Sequence, residues 1–163
     1  MVRVRIPATS ANLGAGFDSL GLAVNLYNYV DMEESDGVFI SSTDGTWVPT
    51  TKENLIYQSA QRLYDECGKK LCGLRIIQQN NIPMTRGLGS SSACIVGGLA
   101  AANQMLGNPL GLDDMVGLAS DIEGHPDNTT PALLGGIVTA VLEEGKVFWV
   151  KQEVHSALRL IAV

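Results

Sequence analysis

Charge is scarce in this chain and leans to one sign. Only 17% of its 163 residues are Asp, Glu, Lys or Arg, and 17 acidic against 11 basic side chains leave a net charge of −6. An acidic chain without a basic stripe makes a poor general nucleic-acid binder, so no nucleic-acid partner is expected. An anionic small ligand is not excluded, because backbone N–H groups hold phosphate without net positive charge. Cysteine is sparse: Cys67, Cys72 and Cys94 are odd in number and lack metal spacing, which suits a reducing cytoplasm. Long apolar runs are missing from the start, MVRVRIPATS, so neither a signal peptide nor a membrane partner is expected. There are no internal repeats, linkers or low-complexity tracts. What is plentiful is apolar residues, at 45%, and glycine, at 18 residues. The first excludes a disordered chain. The second follows no period, so a collagen-like chain is excluded too. A chain of this length suits one domain and buries roughly 70% of its unfolded surface without a metal or disulfide staple.

Residues 2–6 alternate Val-Arg-Val-Arg-Ile, the period of a half-buried strand. Residues 7–21 (PATSANLGAGFDSLG) are small and turn-forming and predict a loop. Strands are expected over 24–32, 38–41 and 74–78, with a helix over 54–67 closed by Gly68. Residues 90–106 are small and apolar on nearly every face, which predicts a buried helix. A further helix is expected over 112–123, with Asp113 and Asp114 in its first turn. Residues 125–136 look loop-like, with a short helix near 131–134. Strands follow over 136–143, 147–151 and 158–163. This mixed order favours α+β over a doubly wound sheet.

Three loops stand out chemically. In the first, IPMTRGLGSSSAC, Gly87 and Gly89 allow a tight turn, and Ser90, Ser91 and Ser92 open the buried helix. Unpaired N–H groups of its first turn and the serine hydroxyls make a phosphate cradle. The Walker pattern is absent, and Ser92 stands where the dinucleotide pattern has its third glycine. Ordinary capping by one serine is the alternative, but it leaves the paired glycines without a role. In the second loop, residues 7–21, Asn12 and Asp18 can present an amide and a carboxylate to a small ligand, or else bond their own backbone. In the third, DIEGHPDNTTPALLGG, Glu123, His125, Asp127 and Asn128 fall close together. Glu-x-His is not a zinc spacing. Glu123 with a serine hydroxyl suits Mg²⁺, a hard ion that takes oxygens. The alternatives are His125 as a turn residue and Asp127 and Asn128 as caps of the short helix. His155 reads as solvated and Cys94 as core.

These three segments, in this order, resemble the GHMP kinases, and within them the homoserine kinases. PMTRGLGSSSA resembles the superfamily's phosphate loop; PATSANLGAGFDSLG and EGHPDNTTPALLGG resemble segments of the subfamily. The resemblance implies an α+β fold: an N-terminal domain like domain 2 of ribosomal protein S5, with a left-handed βαβ crossover, and a C-terminal ferredoxin-like domain largely missing here. It implies an ATP-binding domain over 1–155 and the start of the second domain over 156–163. It implies ATP-dependent phosphorylation of the L-homoserine hydroxyl in threonine biosynthesis, in the cytoplasm, with ATP as co-substrate and Mg²⁺. Pro83, Arg86, Gly87, Leu88, Gly89, Ser90, Ser91, Ser92 and Ala93 would wrap the ATP phosphates. Ser91 and Glu123 would hold the metal and carry catalysis. Asn12, Asp18, His125 and Asn128 would line the homoserine site. No general base is implied. Homoserine kinases are roughly twice this length, and their later half carries a third glycine-rich motif and substrate-carboxylate arginines. The run LRLIAV is therefore expected to be a strand leading into that half. Its apolar edge, left open, could pair with another chain, so a homodimer is one assembly it allows.

Overall fold

The structure, a computed structural model, describes residues 1–155, 157 and 159–161. The elements run β1 (Val2–Ala11), β2 (Leu20–Glu34), β3 (Phe39–Ser42), α1 (Leu55–Glu66), β4 (Leu74–Gln79), α2 (Ser90–Met105), α3 (Leu112–Glu123), α4 (Pro126–Leu134), β5 (Ile137–Glu143) and β6 (Lys146–Gln152). They form one mixed sheet in the order β3-β4-β2-β5-β6, with β1 alongside β2. β2 is the organising strand. It pairs antiparallel with β1, and its start and end pair with β5 and β4. β3 and β4 are parallel, so their connection has to cross over, and α1 supplies the crossover.

Strand alternation decides which residues make the core. Ile6 and Ala8 of β1, Val30 and Met32 of β2, and Leu74 and Ile76 of β4 are buried against α1 and α2. The intervening residues face outward, where arginines lie over aromatic rings: Arg3 over Tyr29, Arg5 over Tyr27 and Arg75 over Phe39, at 4.5–5.7 Å. Their methylene stems cover the open sheet face while their charges stay wet. α1 starts at Asn54, whose side chain accepts a hydrogen bond from Ile56 N–H at 3.0 Å. α2 is the central helix, as its uniformly small and apolar composition predicts. At Gly98 a methyl group would overlap the Ile56 carbonyl oxygen, so a glycine there lets α2 lie against α1. No helix among the described residues is long and apolar enough to cross a membrane.

The α+β class is as expected, and two local expectations are corrected. Residues 7–21 are not all loop: β1 runs on to Ala11 and β2 begins at Leu20, leaving 12–19 between them. The ladder is made by backbone N–H and C=O groups, which small residues carry like any others, so their composition misled. The third motif segment is helical from Pro126, five residues earlier than its composition suggests. Proline at the first helical position is favourable because the N–H it lacks has no intrahelical partner there. Of the strand expected over 158–163, residues 158, 162 and 163 lie outside the described residues, and 159–161 carry no regular structure.

Candidate functional site

The turn between α3 and α4 builds the site. α3 ends at Glu123; Gly124 takes a left-handed conformation; His125 is extended; Pro126 starts α4. This sharp turn points Glu123 toward α2 and the His125–Asn128 segment toward β1.

Glu123 sits in the last turn of its own helix, where a negative charge is unfavourable. Its carboxylate is held at the first turn of another helix, where negative charge is favoured. Glu123 Oε2 accepts from Ser91 Oγ and Oε1 accepts from Ser92 Oγ, each at 3.0 Å. Ser91 is exposed and Ser92 fully buried. No side chain caps α2; its N-cap is Gly89, in the left-handed region at φ 66°. The serine-capping alternative is thus corrected: the hydroxyls serve Glu123, and the N–H groups of Ser90, Ser91 and Ser92 have no intrahelical partner. Cys94, one helical turn on from Ser90, is partly buried, and burial followed by the charge of Glu123 pushes its thiol up to about 11.

Upstream of Gly89 the loop is exposed through Pro83, Arg86 and Gly87, with Leu88 partly buried. Thr85 and Gly87 both have positive φ, at 56° and 68°. Leu88 anchors the loop by accepting a hydrogen bond from Thr9 N–H, 3.1 Å away on the free edge of β1. Arg86 reaches only the Thr85 carbonyl, at 3.3 Å, and is not brought to the serines or Glu123.

The loop after β1 holds Asn12 and Asp18, both exposed and both at positive φ. Asn12 Oδ1 accepts from Asp18 N–H at 2.8 Å, while the amide Nδ2 donates to Asp127 Oδ2 at 3.2 Å. Asp127 is buried, and its Oδ1 lies 2.5 Å from His125 Nδ1 and 3.4 Å from Asn128 Nδ2. Asn128 Oδ1 accepts from Thr9 Oγ1 at 2.8 Å. Asp127 and Asn128 are therefore not helix caps, since α4 has no side-chain cap. The second and third segments form one cluster, and it meets the first at Gly89, whose neighbours are Thr9 and Asn128.

Thr9 of this cluster was not singled out from the sequence, and Asp127, grouped there with Glu123, His125 and Asn128, was given no substrate-site role. Thr9 reads as one more small residue of a loop, and Asp127 as a cap; only the register of β1 against the two other segments gives them their partners. Among the described residues there is no group of three His, Cys, Asp or Glu side chains that could hold a metal. The oxygen set of Glu123 and the serine hydroxyls supplies one carboxylate only. That fits a cation which takes its remaining ligands from phosphate and water, as Mg²⁺ does. His155 is exposed and its Nδ1 accepts from Ala157 N–H at 3.2 Å.

A family model for the GHMP kinases N terminal domain matches residues 54–136. The chain is 46% identical to a homoserine kinase of Petrotoga mobilis over its whole length, covering 54% of that protein. It is 48% identical to one from Caldicellulosiruptor bescii over 98% of the chain, covering 52% of that protein. The chain thus spans about half the length of the curated relatives it matches. Among solved structures it resembles a homoserine kinase from Cytophaga hutchinsonii, with 33% identity and a TM-score of 0.76 over 92% of this chain and 51% of that one.

Proposed function

The chain belongs to the GHMP kinases, through their N-terminal domain, and from that premise we propose that it supplies the ATP-facing half of a phosphotransferase. The proposed reaction moves the γ-phosphoryl group of ATP to the side-chain hydroxyl of L-homoserine, giving O-phospho-L-homoserine for threonine biosynthesis. The observation that carries this is the meeting of three motif segments at Gly89, with unpaired helix N–H groups on one side and a polar cluster on the other. Phosphoryl transfer asks a protein mainly for positioning and charge neutralisation. The α2 N-terminus provides the second from backbone dipoles, which is how an acidic chain can take an anionic nucleotide. Residues 83–93 would wrap the phosphates. Ser91 and Glu123 would hold Mg²⁺, which supplies further neutralisation of phosphate charge when bound. Asn12, Asp18, His125 and Asn128 would face homoserine, with the Asp18 carboxylate on its ammonium group. The three free cysteines suit the cytoplasm.

A second reading is favoured by the share of its relatives that the chain spans: the 163 residues alone bind ATP without turning over. Coupled assays of ADP release separate the two. A protein of the full length of these relatives is expected to release ADP with homoserine and Mg²⁺, and not with mevalonate or galactose. Turnover of mevalonate but not homoserine would overturn the substrate, and homoserine-dependent turnover by the isolated chain would overturn the second reading. In the active protein Asp18→Ala should raise the KM for homoserine at least about tenfold, the value of a charge-assisted hydrogen bond. The KM for ATP should stay within about twofold; equal rises would remove Asp18 as the substrate anchor.

A further inference from the structure

Asp127 is 1% exposed, yet three side chains from two segments converge on its carboxylate. Met only by donors, it acts as an acceptor throughout, and each partner must turn an N–H toward it. That requirement spreads outward. With Nδ2 of Asn12 on Asp127, Oδ1 of Asn12 is left to accept from the Asp18 backbone, as observed. With Nδ2 of Asn128 on Asp127, its Oδ1 is left to accept from Thr9, also as observed. Flipping either amide would set an oxygen against the carboxylate, and at Asn12 would also set NH₂ against a backbone N–H. His125, with its proton on Nδ1, keeps a lone pair on Nε2 while neutral. No described residue bonds that Nε2, and the side chain is 44% exposed.

Thr9 is the second fixed point. It is fully buried, its hydroxyl proton is committed to Asn128, its amide holds Leu88, and its Oγ1 lies against Gly89. We infer that Asp127 and Thr9 are positioning residues that set the hydrogen-bond polarity of the acceptor site. They present Nε2 of His125 as an acceptor and an N–H of Asn128 as a donor to a bound hydroxy amino acid. A hydroxyl group matches both, donating to one and accepting from the other. The ligand's identity rests on the function proposed above; the polarity can be read without any ligand.

The chain has two histidines, which makes the test direct. His155 accepts a backbone N–H on Nδ1, so its proton belongs on Nε2. Long-range ¹H–¹⁵N spectra at about pH 8, where ordinary imidazole is neutral, should show opposite tautomers: Nδ1–H for His125 and Nε2–H for His155. A proton on Nε2 of His125, alone or together with one on Nδ1, overturns the inference. In the turnover assay, Thr9→Val keeps the branched shape and loses the donor, whereas Thr9→Ser keeps the donor. Thr9→Val should raise the KM for homoserine about two- to tenfold, leave the KM for ATP within about twofold, and be rescued by Thr9→Ser. Equal effects of the two variants, or equal rises in both KM values, overturn the role of Thr9. If an unaltered protein of the full length of the curated relatives releases no ADP with homoserine, the proposed function fails, while the spectra of the 163-residue chain still decide the polarity.

Discussion

Gly89→Ala is the most searching single change at this site, and Gly87→Ala is its natural control. Both glycines have φ near +67°, at 66° and 68°. An alanine in that left-handed region costs roughly 1–2 kcal/mol, because its Cβ crowds the following carbonyl. At Gly87 nothing else lies within 4 Å of the added methyl, so that cost is the whole effect. At Gly89 the methyl would press into Thr9 Oγ1 and lie 3.3 Å from Asn128 Oδ1. Thr9 is buried and bonded on two sides, so it cannot swing away. Overpacking of this kind adds about 1–3 kcal/mol. Gly89→Ala should therefore destabilise by roughly 2–5 kcal/mol and Gly87→Ala by only 1–2. Urea unfolding followed by circular dichroism reads the difference; at a slope of about 2 kcal/mol per molar, the two midpoints should differ by roughly 0.5–1.5 M. Coincident midpoints would refute the close approach of the Gly87–Gly89 loop to β1, and with it the junction on which the site depends.

Three other changes follow from the same geometry. Ser92→Ala removes a buried bond to the Glu123 carboxylate and should cost about 1.5–3 kcal/mol in unfolding; exposed Ser91→Ala should cost under about 1 kcal/mol yet lower turnover more, and the reverse ranking would remove the division of labour between the two serines. Burial, then the bond to Glu34 at 2.6 Å and its charge, hold the Tyr64 phenol above its ordinary value. A raised phenol contributes stability that is fully present below the unfolded value of about 10 and is lost as pH rises toward the folded one. The urea midpoints of the native chain and Tyr64→Phe should accordingly stay a constant distance apart to about pH 9.5 and converge only above about 10; convergence by pH 8 would contradict the bond. Alkylation with iodoacetamide at about pH 8, followed by mass spectrometry, should mark exposed Cys72 first and Cys94 last, since the Cys94 thiol is raised to about 11; early labelling of Cys94 would show that α2 does not bury it.

Much of the scaffold was legible along the chain because it rests on local periodicity. The alternation of residues 2–6, the uniformly small and apolar run after Ser90, and the helical spacing over 54–67 closed by Gly68 each specify an element without reference to anything distant. The paired glycines Gly87 and Gly89 ahead of three serines likewise mark a tight turn into a helix start, because a tight turn and N–H groups without an intrahelical partner are properties of neighbouring residues. The partners of those groups were another matter. Ser91 and Ser92 are more than thirty residues from Glu123, Asn12 more than a hundred from Asp127, and Thr9 as far from Asn128. Which atom of each faces the other depends on the register of β1, the left-handed turn at Gly124 and the early start of α4 at Pro126. None of these is a periodic signal, and each side chain has a plausible local partner that competes with the distant one. The sequence alone determined the α+β class and the three segments that matter; only the tertiary structure, by burying Asp127 and Thr9 where water cannot satisfy them, decided how those segments are joined.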